Sequence, residues 1–150
     1  MKVIVLYFLL LFTITTSWQE NIIAEMAIQQ FPDKEGYHVI ATPNNHDIKN
    51  FVGNKRTRAD LELPNITFGF NKMMSEKWNL KTFPKVKDKV TIIADFNTLT
   101  KKQLNSKGST YLELSNPIFS EDGMHALITV NVFTDYVMSE LETILIYFKR

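Results

Sequence analysis

The sequence predicts an α+β domain: an N-terminal helix packed on a mainly antiparallel sheet of about five strands that ends in a three-stranded meander. Three observations predict it: strand-like runs on both sides of a tight turn, an amphipathic helical segment near the start, and an apolar run near the C-terminal end. With 150 residues and no internal repeat or flexible linker, the chain predicts a single domain with its own core. Cysteine is absent, so disulfides and thiolate metal sites are excluded.

The turn at Glu121–Gly123 is the strongest local signal, because Asp-Gly supplies residues that tolerate the positive φ of a tight hairpin turn. A strand-like run, Ile118–Ser120, precedes it, and a second, Ala126–Phe133, follows it. The second run alternates between a wholly apolar face and a mixed face, which is typical of a sheet with one face on a core. Pro117 removes a ladder donor, so the first strand is predicted to bulge there or to lie at an edge.

Further strands are predicted where β-branched and aromatic residues come in short runs. Thr143–Phe148 closes the predicted meander, and Val90–Ala94 is expected to lie with the meander at the centre of the sheet. Tyr37–Thr42 and Ile66–Phe70 predict two more strands.

The first predicted helix, Trp18–Phe31, carries apolar residues at helical spacing and opens the mature domain. Ser17 and Glu20 match a capping box, in which each side chain satisfies a free backbone donor of the first turn. Asp47–Val52 predicts one helical turn, and Asp95–Lys107 predicts a short helix that ends before a glycine.

The N-terminal residues Met1–Ser17 predict a secretory signal peptide, here called the leader, which leaves residues 18–150 as one α+β domain. Lys2 is a short basic region, and Val3–Phe12 is an uncharged apolar run. A helix of that length rises only about 15 Å, whereas the hydrocarbon core of a bilayer is about 30 Å thick. We therefore expect an exported protein, periplasmic or extracellular, whose leader is removed and packs on nothing. An uncleaved membrane anchor is the alternative.

Charge is nearly balanced, with 17 basic and 16 acidic residues, and removal of Lys2 with the leader leaves 16 of each. Nucleic-acid binding needs clustered and uncompensated basic residues, so this balance argues against it. The one basic cluster, Lys55–Arg58, is followed by Asp60 and Glu62 and has no interleaved aromatic residues. We interpret it as a solvated loop.

Histidine supplies the candidates for metal or acid–base chemistry, and the chain has three: His38, His46 and His125. Such chemistry requires histidines that converge with carboxylates. None of the three belongs to an H-E-x-x-H set, and the chain has neither a G-x-S-x-G elbow nor a G-x-x-x-x-G-K-[ST] phosphate loop. The sequence therefore assigns no catalytic, cofactor-binding or metal-binding residue, and it predicts no cofactor.

A further clue is the run Ser115–Leu127, S-N-P-I-F-S-E-D-G-M-H-A-L. It is similar to the S-x-P-I-F-S-x-D-G-x-x-A-L run of a family of small uncharacterised exported proteins of Gram-negative bacteria. Trp78–Pro84 resembles the W-x-L-F-P-like segment of that family, and the C-terminal strand is a third similarity. The resemblance covers about the C-terminal half of the chain. It implies export but no activity, so no functional residue is carried over.

Export, neutrality and the lack of a convergent polar set favour a non-catalytic binding or interaction module of the cell envelope. Its expected partner is a protein or a small-molecule ligand, with no nucleic acid and no stable membrane span after leader removal. The alternative is a hydrolase-like or metal-dependent enzyme that uses scattered histidines and carboxylates. Convergence of such groups in a cleft would favour the enzyme, whereas a concavity lined by Phe, Tyr and Met would favour binding.

Overall fold

The computed structural model describes residues 2–7, 16–31, 37–60, 66–70, 76–79, 81, 83–94, 110–134 and 142–149. Eight strands and three helices lie within them. In chain order they are β1 (Lys2–Tyr7), α1 (Thr16–Ile28), β2 (Tyr37–Ile40), α2 (His46–Gly53), α3 (Lys55–Asp60), β3 (Phe68–Phe70), β4 (Val90–Ile93), β5 (Thr110–Leu114), β6 (Ile118–Ser120), β7 (His125–Thr134) and β8 (Glu142–Lys149). The helix predicted at Asp95–Lys107 lies outside the described residues.

The strands of the described residues form one sheet, whose main path runs β1-β8-β7-β5-β2-β4, while β6 pairs with both β7 and β3. Antiparallel pairs join β3 to β6, β5 to β7, β6 to β7 and β7 to β8. Parallel pairs join β1 to β8 and β2 to both β4 and β5. The predicted α+β class is confirmed, but the sheet is mixed and has more strands than the five or so expected.

The parallel part of the sheet corrects one expectation. β2 lies between β4 and β5, and β4 is the last strand of the path, so Val90–Ala94 does not lie at the centre. Parallel neighbours are joined by long crossover connections rather than tight turns, so no local signal in the sequence reveals them. Lys87 and Lys89 directly precede β4 and are exposed, as suits a strand at an edge.

β7 is the longest strand and organises the antiparallel part. It pairs with β8 over eight positions on one side, and on the other side with β5 and then β6. The strand is interrupted around Pro117, because β5 ends at Leu114 and β6 begins at Ile118. The alternative of an edge strand is wrong, because β6 pairs with both β3 and β7. The Ser115 N–H donates to the Thr129 carbonyl at 2.9 Å, and Ser115 Oγ accepts from the Thr129 N–H at 3.0 Å, which keeps this gap bonded to β7.

The predicted hairpin turn joins β6 to β7. Gly123 adopts a φ of 68°, and its N–H donates to the Ser120 carbonyl at 3.0 Å. Asp122 Oδ1 accepts from Ser120 Oγ at 2.5 Å and from the Met124 N–H at 2.9 Å. These two hydrogen bonds, the one from Ser120 first, lower the pKa of Asp122 because they favour the ionised carboxylate.

One face of the sheet, here called the α1 face, carries a single apolar cluster. α1 contributes Ile23, Ala24, Ala27 and Ile28 to this cluster. The sheet contributes buried residues of β4, β2, β5, β7 and β8, and the cluster also includes Trp78, Phe83 and Val86. α1 begins at Thr16, so Ser17 lies inside the helix and does not take the predicted capping position, which requires a non-helical backbone.

The opposite face, here called the α2 face, is divided. Near the hairpin, Ile48 and Phe51 of α2 pack on Leu127, Leu145 and Tyr147. A smaller apolar cluster farther along the sheet joins Ile40, Ile93, Tyr111 and Phe133. Polar side chains of β5, β7 and β8 lie on this face as well.

α3 corrects the interpretation of the basic cluster. Lys55–Arg58 is part of a helix rather than a loop, and Arg58 Nη2 donates to the Ile66 carbonyl at 2.5 Å. Lys55 and Arg56 are exposed, as the solvated character of the cluster predicted.

β1 corrects the expectation that the leader packs on nothing. Lys2–Tyr7 pairs in parallel with Ile144–Lys149 of β8 over six register positions. An uncharged run of β-branched and apolar residues suits a strand as well as a signal peptide. Here the run forms a strand because it pairs with the edge of β8. Removal of the leader is a separate event and stays a prediction.

Candidate functional site

His38, the first histidine candidate, lies on β2 and stacks on Tyr111 of β5, with ring centroids 5.0 Å apart. The register pairs these two residues directly. Burial lowers the pKa of His38, because desolvation disfavours the charged ring. Its Nδ1 is buried and has no hydrogen-bond partner in the described part of the chain. His38 therefore packs as an aromatic residue against β5.

The other two histidines lie elsewhere. His46 begins α2, and its Nε2 is 3.0 Å from Asn50 Nδ2. His125 begins β7, stacks on Tyr147 with centroids 5.7 Å apart, and places Nδ1 2.5 Å from the Tyr147 hydroxyl. Among the residues that the structure describes, no three His, Cys, Asp or Glu side chains are placed to hold a metal ion. The three candidates are thus not brought together.

A polar group that the sequence did not single out lies at the middle of the α2 face. We call it the α2-face network; its members are Asn44, Asp47, Glu113, Asn131 and Thr143. Asn131 on β7 lies opposite Glu113 on β5 and Thr143 on β8, so the three side chains share one face of neighbouring strands.

Asn131 is the centre of this network and is only 4% exposed. Its Nδ2 donates to Asp47 Oδ2 and to Glu113 Oε2, both at 3.1 Å, and its Oδ1 accepts from Thr143 Oγ1 at 2.9 Å. Every polar atom of the amide therefore has a partner, which is what allows an amide to be buried at this depth.

Asn44 joins the network from the turn before α2. Its Nδ2 donates to Glu113 Oε2 at 2.8 Å, its Oδ1 accepts from the His46 N–H at 3.0 Å, and its own N–H donates to the Leu114 carbonyl at 2.9 Å. The two carboxylates of the network thus receive hydrogen bonds from neutral amides. These hydrogen bonds anchor α2 to the sheet.

A second pair of amides strengthens the same junction. The Asn116 N–H donates to Asn45 Oδ1 at 2.7 Å, and Asn45 Nδ2 donates back to Asn116 Oδ1 at 2.9 Å. Asn116 lies in the gap between β5 and β6, where the strand ladder is interrupted. Asn45 Oδ1 therefore provides a hydrogen-bond acceptor for the buried Asn116 N–H at a point where the strand ladder is broken.

One small cavity lies at the end of α1, lined by Ile28, Gln29, Phe31, Tyr37, Val86 and Lys89, with a volume of about 100 Å³. Pockets for cofactors and drug-sized ligands are several times larger, roughly 300–1,000 Å³. Aromatic side chains line it in part, but its size suits a few water molecules better than an organic ligand.

A more extended candidate surface is the outer edge of β8. β8 is held on its inner side by β7, and its side chains alternate between the two faces of the sheet. Ile146 and Phe148 are buried on the α1 face, and Leu145 and Tyr147 are buried on the α2 face. The outer side of β8 bonds to β1, which is the predicted leader segment.

Comparison with known proteins adds no relative: no family model, no curated protein and no solved structure matches the chain. Within the described residues, no helix is both long and apolar enough to span a bilayer.

Proposed function

We propose that this chain is an exported domain of the cell envelope, periplasmic or extracellular, that works as a binding or interaction module and not as an enzyme. The proposal keeps the leader as a removable segment, Met1–Ser17, and takes residues 18–150 as the working domain. After removal the domain begins with α1 packed on the sheet and ends in the meander β6-β7-β8. Balanced charge in that domain fits a protein or small-molecule partner better than nucleic acid.

The observation that supports a binding role is the position of β1. The segment with the composition of a leader is the strand that pairs with the outer edge of β8. Loss of that segment leaves a long strand with unpaired backbone groups on one side, and such edges are templates for pairing with another chain. A protein partner is therefore the form of the proposal that we favour.

The rival proposal, a hydrolase-like or metal-dependent enzyme, would need histidines and carboxylates in one place. The described histidines lie on β2, α2 and β7, and the carboxylates Asp47 and Glu113 are bonded to amides. This geometry lends the rival no support.

Export and processing are tested by the mass of the protein recovered from the expressing cell. We expect the soluble envelope fraction to hold a chain shortened by Met1–Ser17. In a Leu9→Arg variant, a charge interrupts the apolar run outside β1, so we expect the full-length chain to stay inside the cell. The matched Leu9→Ile variant is expected to be processed normally. A full-length chain in the membrane pellet would instead identify an uncleaved anchor and reject the proposal.

Binding is tested by cross-linking in intact envelopes, followed by identification of the captured chains and of the cross-linked residues. We expect adducts at the exposed Lys149, which lies at the end of the β8 edge. Adducts distributed evenly over the exposed lysines of α3 and of segment 81–89 would mean that no specific surface is used.

A further inference from the structure

We propose that the β8 edge is a strand-acceptor site: the leader strand fills it in the full-length chain, and an extended apolar strand of another exported polypeptide fills it after processing. This inference rests on the proposed export and cleavage, and it adds the partner's chemistry and orientation. Four observations carry it.

The first is that β8 does not depend on β1 for its position. Eight register pairs, from His125–Lys149 to Val132–Glu142, fix β8 to β7. Its side chains also belong to both apolar clusters beside β7, where Leu145, Ile146 and Phe148 are 0% exposed. The edge is therefore expected to stay in place when its outer neighbour is lost.

The second is that β8 lacks the features that blunt natural edge strands. Such strands are commonly short, or carry proline or charges along their length. β8 is eight residues long, and its six central residues, Thr143–Phe148, include no charge, proline or glycine. The opposite edge differs: β4 has only four residues and follows Lys87 and Lys89. The β4 edge thus carries features that discourage pairing with another strand, whereas the β8 edge carries none along its central residues.

The third is the occupant that the structure itself places there. β1 reads K-V-I-V-L-Y, so five uncharged residues follow Lys2 without proline or glycine. Ile4 lies opposite Ile146, Leu6 lies opposite Phe148, and the two strands run in parallel. The site therefore selects an extended apolar strand of about six residues that runs in the direction of β8.

The fourth observation separates this occupant from a second copy of the chain. Two copies that pair through their β8 edges about a two-fold axis perpendicular to the strands would do so in antiparallel fashion, because such an axis reverses one strand. A second copy could reproduce this β1–β8 pair only by donating its own Lys2–Tyr7, which processing removes. We therefore assign an occupant that resembles Lys2–Tyr7 on the processed chain to a different polypeptide.

The test uses the processed chain recovered from the exporting cell and, as probe, a labelled peptide with the sequence of Lys2–Tyr7. We expect saturable binding by the processed chain, and at least tenfold weaker binding by the full-length Leu9→Arg chain, whose edge is already filled. A peptide with Val5→Pro keeps an apolar composition but loses a ladder donor, so it is expected to bind at least tenfold more weakly.

Orientation is measured with disulfide trapping, because the chain has no cysteine of its own. Lys149 is exposed and lies opposite Tyr7 in the register, so a Lys149→Cys chain should trap a Tyr7→Cys peptide. It should not trap a Lys2→Cys peptide, whose reactive end lies at the far end of the edge. Hydrogen exchange on the unmutated processed chain locates the bound peptide without a substitution: the peptide should slow exchange in 143–148 and leave β4 unchanged.

The outcomes are distinct. A chain that is never processed rejects the proposed function itself. A processed chain that binds no peptide, or that traps the Lys2→Cys peptide, rejects the strand-acceptor site and leaves export standing. A processed chain that is a stable dimer with β8 already protected would show that a second copy covers the edge, which also overturns the inference.

Discussion

The two faces of the sheet share the same strands but have opposite kinds of interior. On the α1 face a single apolar cluster runs from β4 to β8, whereas on the α2 face the α2-face network lies among separate apolar clusters. Val130 and Asn131 are neighbours on β7 and are 0% and 4% exposed, yet one is surrounded by hydrocarbon and the other by hydrogen-bond partners. At equal burial, Val130 requires apolar neighbours, whereas Asn131 requires hydrogen-bond partners.

The difference shows what each face contributes. The α1 face supplies apolar burial, which is non-directional and tolerates some rearrangement. The α2-face network is directional: a slip of β8 along β7 would separate Thr143 from Asn131 and leave the buried Asn131 Oδ1 without this donor. We therefore expect the α1 face to set most of the stability and the α2 face to help set the strand register.

The largest predicted effect comes from placing an amide on the wrong face. Val130→Asn should lower the free energy of unfolding by about 3–5 kcal/mol, since it removes a buried apolar side chain and buries an unpaired amide. Urea unfolding followed by circular dichroism measures it. Val130→Ala is the control, because it removes apolar volume without adding a polar group. Equal losses for the two variants would show that the α1 face contains water at this position.

The reciprocal change is expected to be smaller. Asn131→Val should lower the free energy of unfolding by about 1–3 kcal/mol, because Asp47 and Glu113 lose a shared donor. The same unfolding experiment measures it. A double-mutant cycle with Glu113→Gln isolates the contact: non-additivity of about 0.5 kcal/mol or more is expected for bonded neighbours. If Asn131→Val raised stability, the network would not be needed for the fold.

The Asn45–Asn116 pair tests how the α2 face holds the gap between β5 and β6. Asn45→Ala should lower the free energy of unfolding by about 1–2 kcal/mol, because it leaves the buried Asn116 N–H and Oδ1 without this partner. Asn50→Ala on the exposed side of α2 is the matched control and should change stability by no more than about 0.5 kcal/mol. Equal effects would argue that the gap is held by Ser115 and Thr129 alone.

The smallest expected effect is a dependence of stability on pH, which differs between His38 on the α2 face and Asp122 in the hairpin turn. The folded protein lowers the pKa of His38, so the unfolded chain binds more protons as pH falls through about 6.5. The free energy of unfolding should therefore decrease as the pH decreases through that window. His38→Phe should flatten the slope of urea midpoints between pH 5 and 8. A slope that persists in His38→Phe would assign it to another group.

Asp122 provides a contrast in a different pH window. Its pKa is lowered in the fold, so its contribution to stability is present above the pKa of the unfolded carboxyl and is lost as pH falls through the folded value. Asp122→Asn should therefore alter the pH dependence in the acidic range and leave the His38 window unchanged. Unfolding midpoints of this variant between pH 2 and 5 provide the measurement.

Local signals predicted much of this fold. The Asp-Gly turn, the alternation in β7 and the position of Pro117 identified the hairpin and its interruption, because each depends on a few adjacent residues. The helical turn at Asp47–Val52 was also predicted, and α2 extends it by one residue at each end. The same alternation revealed that one face of β7 is wholly apolar and the other is mixed.

Non-local contacts were not predictable in the same way. Asn131 lies 84 residues from Asp47 and 18 from Glu113, and no pattern joins three such positions in one sequence. The one available signal was that Asn131 interrupts an apolar strand, which indicates a buried amide with partners but does not name them. The parallel pairs of β2 and the pairing of β1 with β8 were missed for the same reason, since they join distant segments.

The pairing of Lys2 with Ile144 also has a consequence for timing during synthesis. β1 is made about 140 residues before its partner, an interval of about 7 to 30 s at typical translation rates. Throughout that interval the apolar segment Lys2–Tyr7 has no β8 to pair with. Once β8 has been made, the same segment can be sequestered in the sheet. If this segment is the proposed leader, targeting before the chain is complete would meet a free segment, whereas later targeting would first have to separate β1 from β8.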